Sequence, residues 1–255
     1  MKTFVIGDIH GNYKGLKQAL ERSSFDYEKD VLISLGDVVD GHSDSFEVVE
    51  ELLKVKHLIA IKGNHDDWFN YWIHRGVHPV HWLQGAKATG ESYLRYLNPE
   101  DFFLYDYSTG NARVRLTSVD IPESHKRFFS LQRHYYEDEK GRLFVHGGFD
   151  RTLPISEQGD LLWWDRKLWD QALSWESTKN ENTGALAMVD TFTEIFIGHT
   201  STQFWGMDTP MHAANIWNLD TGGGWFGFVT VMDVDTKEFW QSDSAKELYP
   251  NFRGR

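Results

Sequence analysis

Residues able to do chemistry recur at one kind of place in this chain, just after a short apolar run that ends in a glycine-flanked break. Gly7-Asp8-Ile9-His10-Gly11 follows Thr3–Ile6, Gly36-Asp37-Val38-Val39-Asp40 follows Val31–Leu35, and Gly63-Asn64-His65-Asp66 follows Leu58–Ile61. Val145-His146-Gly147-Gly148 and Ile197-Gly198-His199-Thr200 repeat the plan later on. Collected, the set is Asp8, His10, Asp37, Asn64, His65, Asp66, His146 and His199. Carboxylate oxygens, imidazoles and one amide carbonyl suit Mn²⁺, Fe or Zn²⁺, and suit Mg²⁺ less because so many donors are nitrogens. A carboxylate between two such ions can bridge them at about 3.5–4 Å, the spacing two-metal hydrolysis uses. One histidine after a strand is usually a hydrogen-bonded loop residue, and one Asp after Gly is usually a turn or a helix cap. Repetition after strand upon strand turns that bland reading into a run of coincidences.

The elements that must position these residues read as β-α-β-α-β over the first hundred positions. Helical spacing runs through Leu16 and Leu20 and again over Asp44–Lys54, between the apolar runs already named. Such alternation implies a mostly parallel sheet, and ligands collect at the carboxyl ends of its strands. Residues 67–122 form an aromatic-rich stretch, read as a helical insertion or lid, with Trp68, Phe69, Tyr71, Trp72, Trp82, Tyr93 and Tyr96. The second half is β-rich. Strands are expected at Arg113–Val119, Leu131–Tyr136, Arg142–Val145, Glu194–Ile197, Asn215–Leu219, Gly227–Asp233 and Glu238–Gln241, with Ser156–Ser174 helical in part. No repeat or linker divides the chain, so residues 1–255 are expected to form a single domain of the α/β (α+β) class.

A formal charge of −12 argues against a general nucleic-acid or anionic-membrane surface, since both need clustered Lys and Arg. With no cysteine, disulfides and thiolate metal sites are excluded. The N-terminal apolar run is broken by Asp8, too early for a signal peptide, and no stretch is long enough to cross a bilayer. A soluble, cytoplasmic protein is the expectation.

The three N-terminal motifs resemble the GDxHG, GDxVDRG and GNHE/D motifs of the PPP-type phosphatases. These are calcineurin-like metallophosphoesterases, a superfamily that includes phage-type protein phosphatases and bacterial diadenosine tetraphosphate hydrolases. The histidine motifs at His146 and His199 match the later part of the same pattern, so the resemblance spans about residues 3–241. It implies a four-layer β-sandwich flanked by helices, with the site at the sandwich edge. It further implies two divalent ions, Mn²⁺ first and Fe or Zn²⁺ as alternatives. Asp8, His10 and His199 would bind one ion and Asn64 and His146 the other, with Asp37 as the bridge. His65 would protonate the leaving group, and Asp66 would orient its imidazole.

One position departs from the pattern. Asp40 is followed by Gly41 and His42, where the motif continues Arg-Gly, so the phosphate-clamping guanidinium is missing. Arg166, in Leu161-Leu162-Trp163-Trp164-Asp165-Arg166, is the first candidate to replace it, and Arg151 the second. Asp220-Thr221-Gly222-Gly223-Gly224 resembles a late family motif but reads more simply as a tight turn, and the tryptophans read first as core and second as a wall for a stacked base.

The function expected is hydrolysis of phosphate monoesters, first as a Ser/Thr protein phosphatase acting on a phosphorylated protein or a small phosphoester. The alternative is a dinucleoside polyphosphate hydrolase. A binding module that has lost its chemistry is the third reading, supported only by the missing arginine. Nothing in the sequence fixes the oligomeric state.

Overall fold

The computed structural model describes residues 1–79, 82, 85–96, 103–106, 111–114, 116–178 and 191–251. In chain order its elements begin β1 (Thr3–Ile6), α1 (Tyr13–Arg22), β2 (Val31–Ser34), α2 (Ser45–Leu52), β3 (His57–Ala60), α3 (Asn64–Arg75) and α4 (Ala86–Leu94). Then come β4 (Phe103–Asp106), β5 (Asn111–Val114), α5 (Glu123–Leu131), β6 (Tyr135–Glu137), β7 (Arg142–Val145), α6 (Leu161–Trp164) and α7 (Lys167–Thr178). The chain closes with β8 (Glu194–Ile197), β9 (Met211–Ala213), β10 (Ile216–Asn218), β11 (Thr230–Asp233), β12 (Phe239–Gln241) and α8 (Ala245–Leu248).

Two five-stranded mixed sheets stack face to face, ordered β12-β11-β1-β2-β3 and β6-β7-β8-β10-β9. In the first, β1, β2 and β3 run parallel while β11 and β12 are antiparallel; in the second, β7, β8 and β10 are parallel. The central strands β1, β2, β7, β8 and β11 are mostly buried because both faces are covered. Along β1, Val5 points between the sheets while Phe4 and Ile6 meet helices; along β8, Phe196 points inward while Ile195 and Ile197 face outward. Phe144 and Phe196 stack at 4.9 Å between the sheets, and burial of each such side chain contributes about 1.5–3 kcal/mol. Helices α1, α2, α3 and α5 cover the outer face of the first sheet, and α6 and α7 cover the second. The result is the four-layer arrangement expected.

Local signals explain how the loops leave the strands. Asn12 caps α1 by accepting from Gly15 N–H at 2.9 Å, and Leu16, Ala19 and Leu20 supply its buried stripe. α3 starts inside the third motif: Gly63 precedes it, and Asp66 and Asp67 sit in its first turn, where carboxylates are favoured.

Several boundaries differ from expectation. Residues 67–122 are not helical throughout, because β4 and β5 pair as an antiparallel ribbon after α4. Positions 80–81, 83–84, 97–102, 107–110 and 115 of that stretch lie outside the described residues. The strand expected at Arg113–Val119 is the shorter β5, and Ser118–Asp120 form a 3₁₀ turn. Leu131 ends α5, and the next strand begins only at Tyr135, because the amphipathic run Phe128-Phe129 continues the helix onto the core. No helix among the described residues is long and apolar enough to cross a membrane.

Candidate metal centre

The carboxyl ends of β1, β2, β3, β7 and β8 converge on one edge of the sandwich and bring together Asp8, His10, Asp37, Asn64, His65, Asp66, His146 and His199, all at most 3% exposed. Tight turns aim them. His10, Asp37, Asp40 and His199 have φ of 51°, 51°, 69° and 67°, in the left-handed region that costs an ordinary residue about 1–2 kcal/mol. Backbone bonds knit the turns together: Ile9 N–H and His10 N–H both donate to Asp37 O, at 3.1 and 2.9 Å. His199 N–H donates to Asp8 Oδ1 at 3.1 Å, and His65 N–H donates to Asp37 Oδ1 at 3.0 Å.

Donor atoms fall into two groups that share Asp37. One is Asp8, His10 and Asp37, the other Asp37, His146 and His199, each within 4.8 Å. His10 Nε2 lies 3.4 Å and His146 Nε2 3.3 Å from Asp37 Oδ2, and Asn64 Oδ1 lies 3.3 Å from His146 Nε2. The grouping differs from the expected partition in one respect: His199 groups with Asp37 and His146, where the resemblance implied Asp8 and His10. The reason is that β7 and β8 are parallel neighbours, so the histidines leaving their ends stand side by side, with ring centroids 4.9 Å apart.

The donor set fits metal ions. His10 Nδ1–H donates to Val39 O at 3.0 Å and His146 Nδ1–H to Leu35 O at 2.8 Å, the outer hydrogen bond that turns the Nε2 lone pair of a ligating histidine inward. Asp8, Asp37, Asp40, Asp66 and Asp220 concentrate negative charge in a buried volume, which is costly unless cations offset it. The acids feel one another. Burial, then the neighbouring Asp220, raises Asp8 well above the ordinary carboxylate range. Burial and then Asp37 push Asp66 up to about 6. Burial acts on Asp37 in the same direction, but His146, His65 and His10 outweigh it and hold that carboxylate low. Burial disfavours charge on His146, yet Asp37 and Asp8 raise it to about 9, which marks the strength of the field available to a cation.

Asp66 does not orient His65. Its oxygens accept from Val38 N–H at 2.9 Å, Gly63 N–H at 3.2 Å and Gln132 Nε2 at 2.8 Å, because the third position of a helix turns a carboxylate back onto the cap. The partner of His65 is Asp40, whose Oδ2 accepts from His65 Nδ1–H at 2.7 Å. The sequence carried a signal for this residue, the second acid of Gly36-Asp37-Val38-Val39-Asp40. The His65 ring stands edge-on to His10 at 5.0 Å, next to the ligand cluster.

The missing arginine also has a structural cause. Gly41 has φ of 84°, and a Cβ there would come within 2.9 Å of His10 Cβ and His10 O, so a larger residue would be strained and would have to displace the His10 turn. His42 does not substitute for it: burial lowers its pKa to about 4, leaving the ring neutral and stacked on Tyr249 at 4.7 Å. Arg166 does reach the site, where its Nη1 donates to His199 O at 2.9 Å and to Thr200 Oγ1 at 2.8 Å. Arg151 instead lines a cavity of about 540 Å³ with Asp150, Lys167 and Gln171, which includes none of the cluster residues.

The Gly222–Gly224 turn lies against the site, and a Cβ on Gly224 would meet the His10 ring at 2.4 Å. Most tryptophans are packing residues, as Trp169, Trp163 and Trp82 show. Trp68 and Trp164 differ. Trp68 is edge-on to His65 at 5.0 Å, Trp164 is edge-on to His199 at 6.1 Å and 40% exposed, and the two rings are 5.2 Å apart.

Comparison with known proteins places this architecture. Residues 1–202 match the calcineurin-like phosphoesterase family, and the chain belongs to it. It is therefore a hydrolase of a metal-dependent family. It is 26% identical to serine/threonine-protein phosphatase 1 of Salmonella typhimurium, with 91% of each chain covered. It is 24% identical to the symmetrical bis(5'-nucleosyl)-tetraphosphatase of Pseudomonas fluorescens, covering 97% of this chain and 96% of that one. A crystal structure described as a putative diadenosine tetraphosphatase superposes with a TM-score of 0.61 at 17% identity, covering 94% and 92% of the two chains, a likeness of fold.

Proposed function

We propose that this chain hydrolyses phosphate monoesters with two divalent ions, most readily as a Ser/Thr protein phosphatase. The observation that carries the reading is the position of Asp37, shared by both donor groups, with the His65 ring 5.0 Å from that of His10. Asp8, His10 and Asp37 would hold one ion, and Asp37, Asn64, His146 and His199 the other, with Mn²⁺ the first choice and Fe or Zn²⁺ next. When bound, such a pair supplies hydroxide near neutral pH and polarises phosphoryl oxygens.

The side chains do the rest. Asp40 holds His65 by Nδ1, so Nε2 carries the proton for the departing alkoxide. Arg166, anchored on the His199 loop, is the group placed to bind substrate phosphate through its planar fork. Arg151 is set aside for that role, since its cavity contains none of the cluster residues.

The relative named as a protein phosphatase, aligned over 91% of this chain, supports that substrate class, and the one named as a tetraphosphatase, aligned over 97%, supports the alternative. One observation favours a second reading, hydrolysis of dinucleoside polyphosphates: the Trp68–Trp164 pair flanks His65 and His199, and Trp164 is exposed enough to stack a base. Initial rates of Mn²⁺-loaded protein on a phosphoserine peptide and on diadenosine tetraphosphate, with Asp37→Ala as the blank, separate the two. Faster orthophosphate release from the peptide supports the phosphatase. Faster release of ADP supports the nucleotide hydrolase, and inactivity on both with metal bound sinks the catalytic reading.

A further inference from the structure

Asp40 follows β2, but two of its partners come from much later in the chain. Trp82 Nε1–H donates to Asp40 Oδ2 at 2.7 Å, and Thr89 Oγ1 donates to Asp40 Oδ1 at 2.6 Å while accepting from Asp40 N–H at 2.9 Å. Asp40 and Thr89 are fully buried and Trp82 is 4% exposed. The backbone presses in as well: Gly85 has φ of 82°, and a Cβ there would stand 2.3 Å from Asp40 Cβ and 2.7 Å from Gly41 N. α4 is tied to the chain just beyond Asp40 by Phe46 N–H donating to Ser92 Oγ at 2.9 Å, and by Arg95 Nη2 donating to Ser43 O at 2.6 Å and Glu47 Oε1 at 3.1 Å.

An indole nitrogen can only donate, so Asp40 Oδ2 must accept from Trp82 and also from His65 Nδ1, which lies 2.7 Å away on the same oxygen. The Asp40 carboxylate is therefore gripped on both oxygens from the 82–89 segment, on a residue whose own backbone is in the left-handed region at φ 69°. We propose that Trp82 and Thr89 are positioning residues for the proton donor: by holding Asp40 they set the tautomer and the angle of the His65 ring. This inference rests on His65 being the group that protonates the leaving oxygen. It gives the aromatic-rich stretch a part in the reaction itself, where the sequence suggested an insertion or lid with tryptophans as core or as a wall for a base.

Trp82→Phe deletes the indole donor and leaves a smaller ring, Thr89→Val keeps the shape but deletes the hydroxyl that donates to Asp40 Oδ1 and accepts from Asp40 N–H, and Thr89→Ser keeps the hydroxyl. Each would be assayed on phosphoserine, whose alkoxide leaves only with a proton, and on p-nitrophenyl phosphate, whose phenolate leaves without one. We expect kcat/KM on phosphoserine to fall about tenfold, as for loss of an outer hydrogen bond at a catalytic group, and to fall less than about twofold on p-nitrophenyl phosphate. Thr89→Ser should recover most of the loss. The downfield Nδ1–H proton resonance of His65, assigned by its disappearance in His65→Ala, should move in both deletion variants. Equal losses on the two esters with an unmoved resonance would overturn the proposal and leave Trp82 and Thr89 as packing residues. Should Trp82→Phe fail to fold, the Thr89→Val and Thr89→Ser pair decides. His65→Ala assayed alongside tests the underlying reading: without a larger loss on phosphoserine than on p-nitrophenyl phosphate, His65 is not the donor. The resonance still reports whether Trp82 and Thr89 hold the ring.

Discussion

His65 donates from Nδ1 to Asp40 Oδ2 at 2.7 Å across 25 residues of sequence, while Asp66, the residue beside it in the chain, turns away to accept from Val38 and Gly63. The two acids therefore have separable jobs. Asp40→Asn should lower kcat on phosphoserine about a hundredfold, because the ring loses its charged partner, and should also destabilise the fold by about 1–3 kcal/mol, because an amide NH2 would face the buried donors of His65, Trp82 and Thr89. Asp66→Asn should lower kcat less and destabilise the fold by about 1–3 kcal/mol, since it disturbs the cap of α3 and the loop at Val38. Turnover together with urea unfolding checks both. An Asp66→Asn loss of kcat equal to that of Asp40→Asn, at unchanged stability, would contradict the division.

Asp37 is common to both donor groups, so its loss should undo the pair of ions together. In Asp37→Ala, metal content measured by mass spectrometry should fall for both sites, and activity should fall to background. Chelation of the wild type should also lower the melting temperature, because an ion held at about 100 times its Kd adds about 2.7 kcal/mol. Full occupancy of both sites in Asp37→Ala would refute the bridge.

Replacing Gly41 by Arg should not restore a phosphate clamp. The position has φ of 84° and leaves 2.9 Å between a Cβ and His10, so Gly41→Arg is expected to displace His10 and lower metal affinity and melting temperature together. Arg166→Ala, by contrast, should raise KM and lower kcat/KM with metal retained, and Arg166→Lys should recover little because the ammonium lacks the planar fork. Unchanged kinetics in Arg166→Ala would remove it from the site.

His42 predicts an acid-sensitive component of stability. Its pKa in the fold is lowered by burial to about 4, below the ordinary 6.5, so the unfolded chain takes up the proton first as pH drops. The stability contributed by the neutral ring is fully present above about 6.5 and is lost as pH falls toward 4. Between pH 7 and pH 5 the loss should be about 2 kcal/mol, and His42→Gln should remove that pH dependence. Urea titrations at the two pH values measure it, and a His42→Gln variant with the same pH slope as the parent would show the effect lies elsewhere.

The amino-acid sequence by itself determined the strands that lead into the site, the glycine-flanked breaks that end them and the residue types those breaks carry. These are local properties. Apolar alternation and glycine placement act through dihedral preference and burial within a few residues, which is why Thr3–Ile6, Arg142–Val145 and Glu194–Ile197 are strands at the expected positions. Tertiary structure decided the pairings: Asp40 with His65, His199 beside His146, Arg166 on the carbonyl of His199, and Trp68 and Trp164 beside the site while Trp169 is core. The hold of Trp82 and Thr89 on Asp40 spans 42 and 49 residues and left no mark in the sequence pattern. The family resemblance pointed to Asp66 as the partner of His65, but side-chain direction in the first turn of α3 and the packing of α4 onto the β2 loop settled which carboxylate the ring meets.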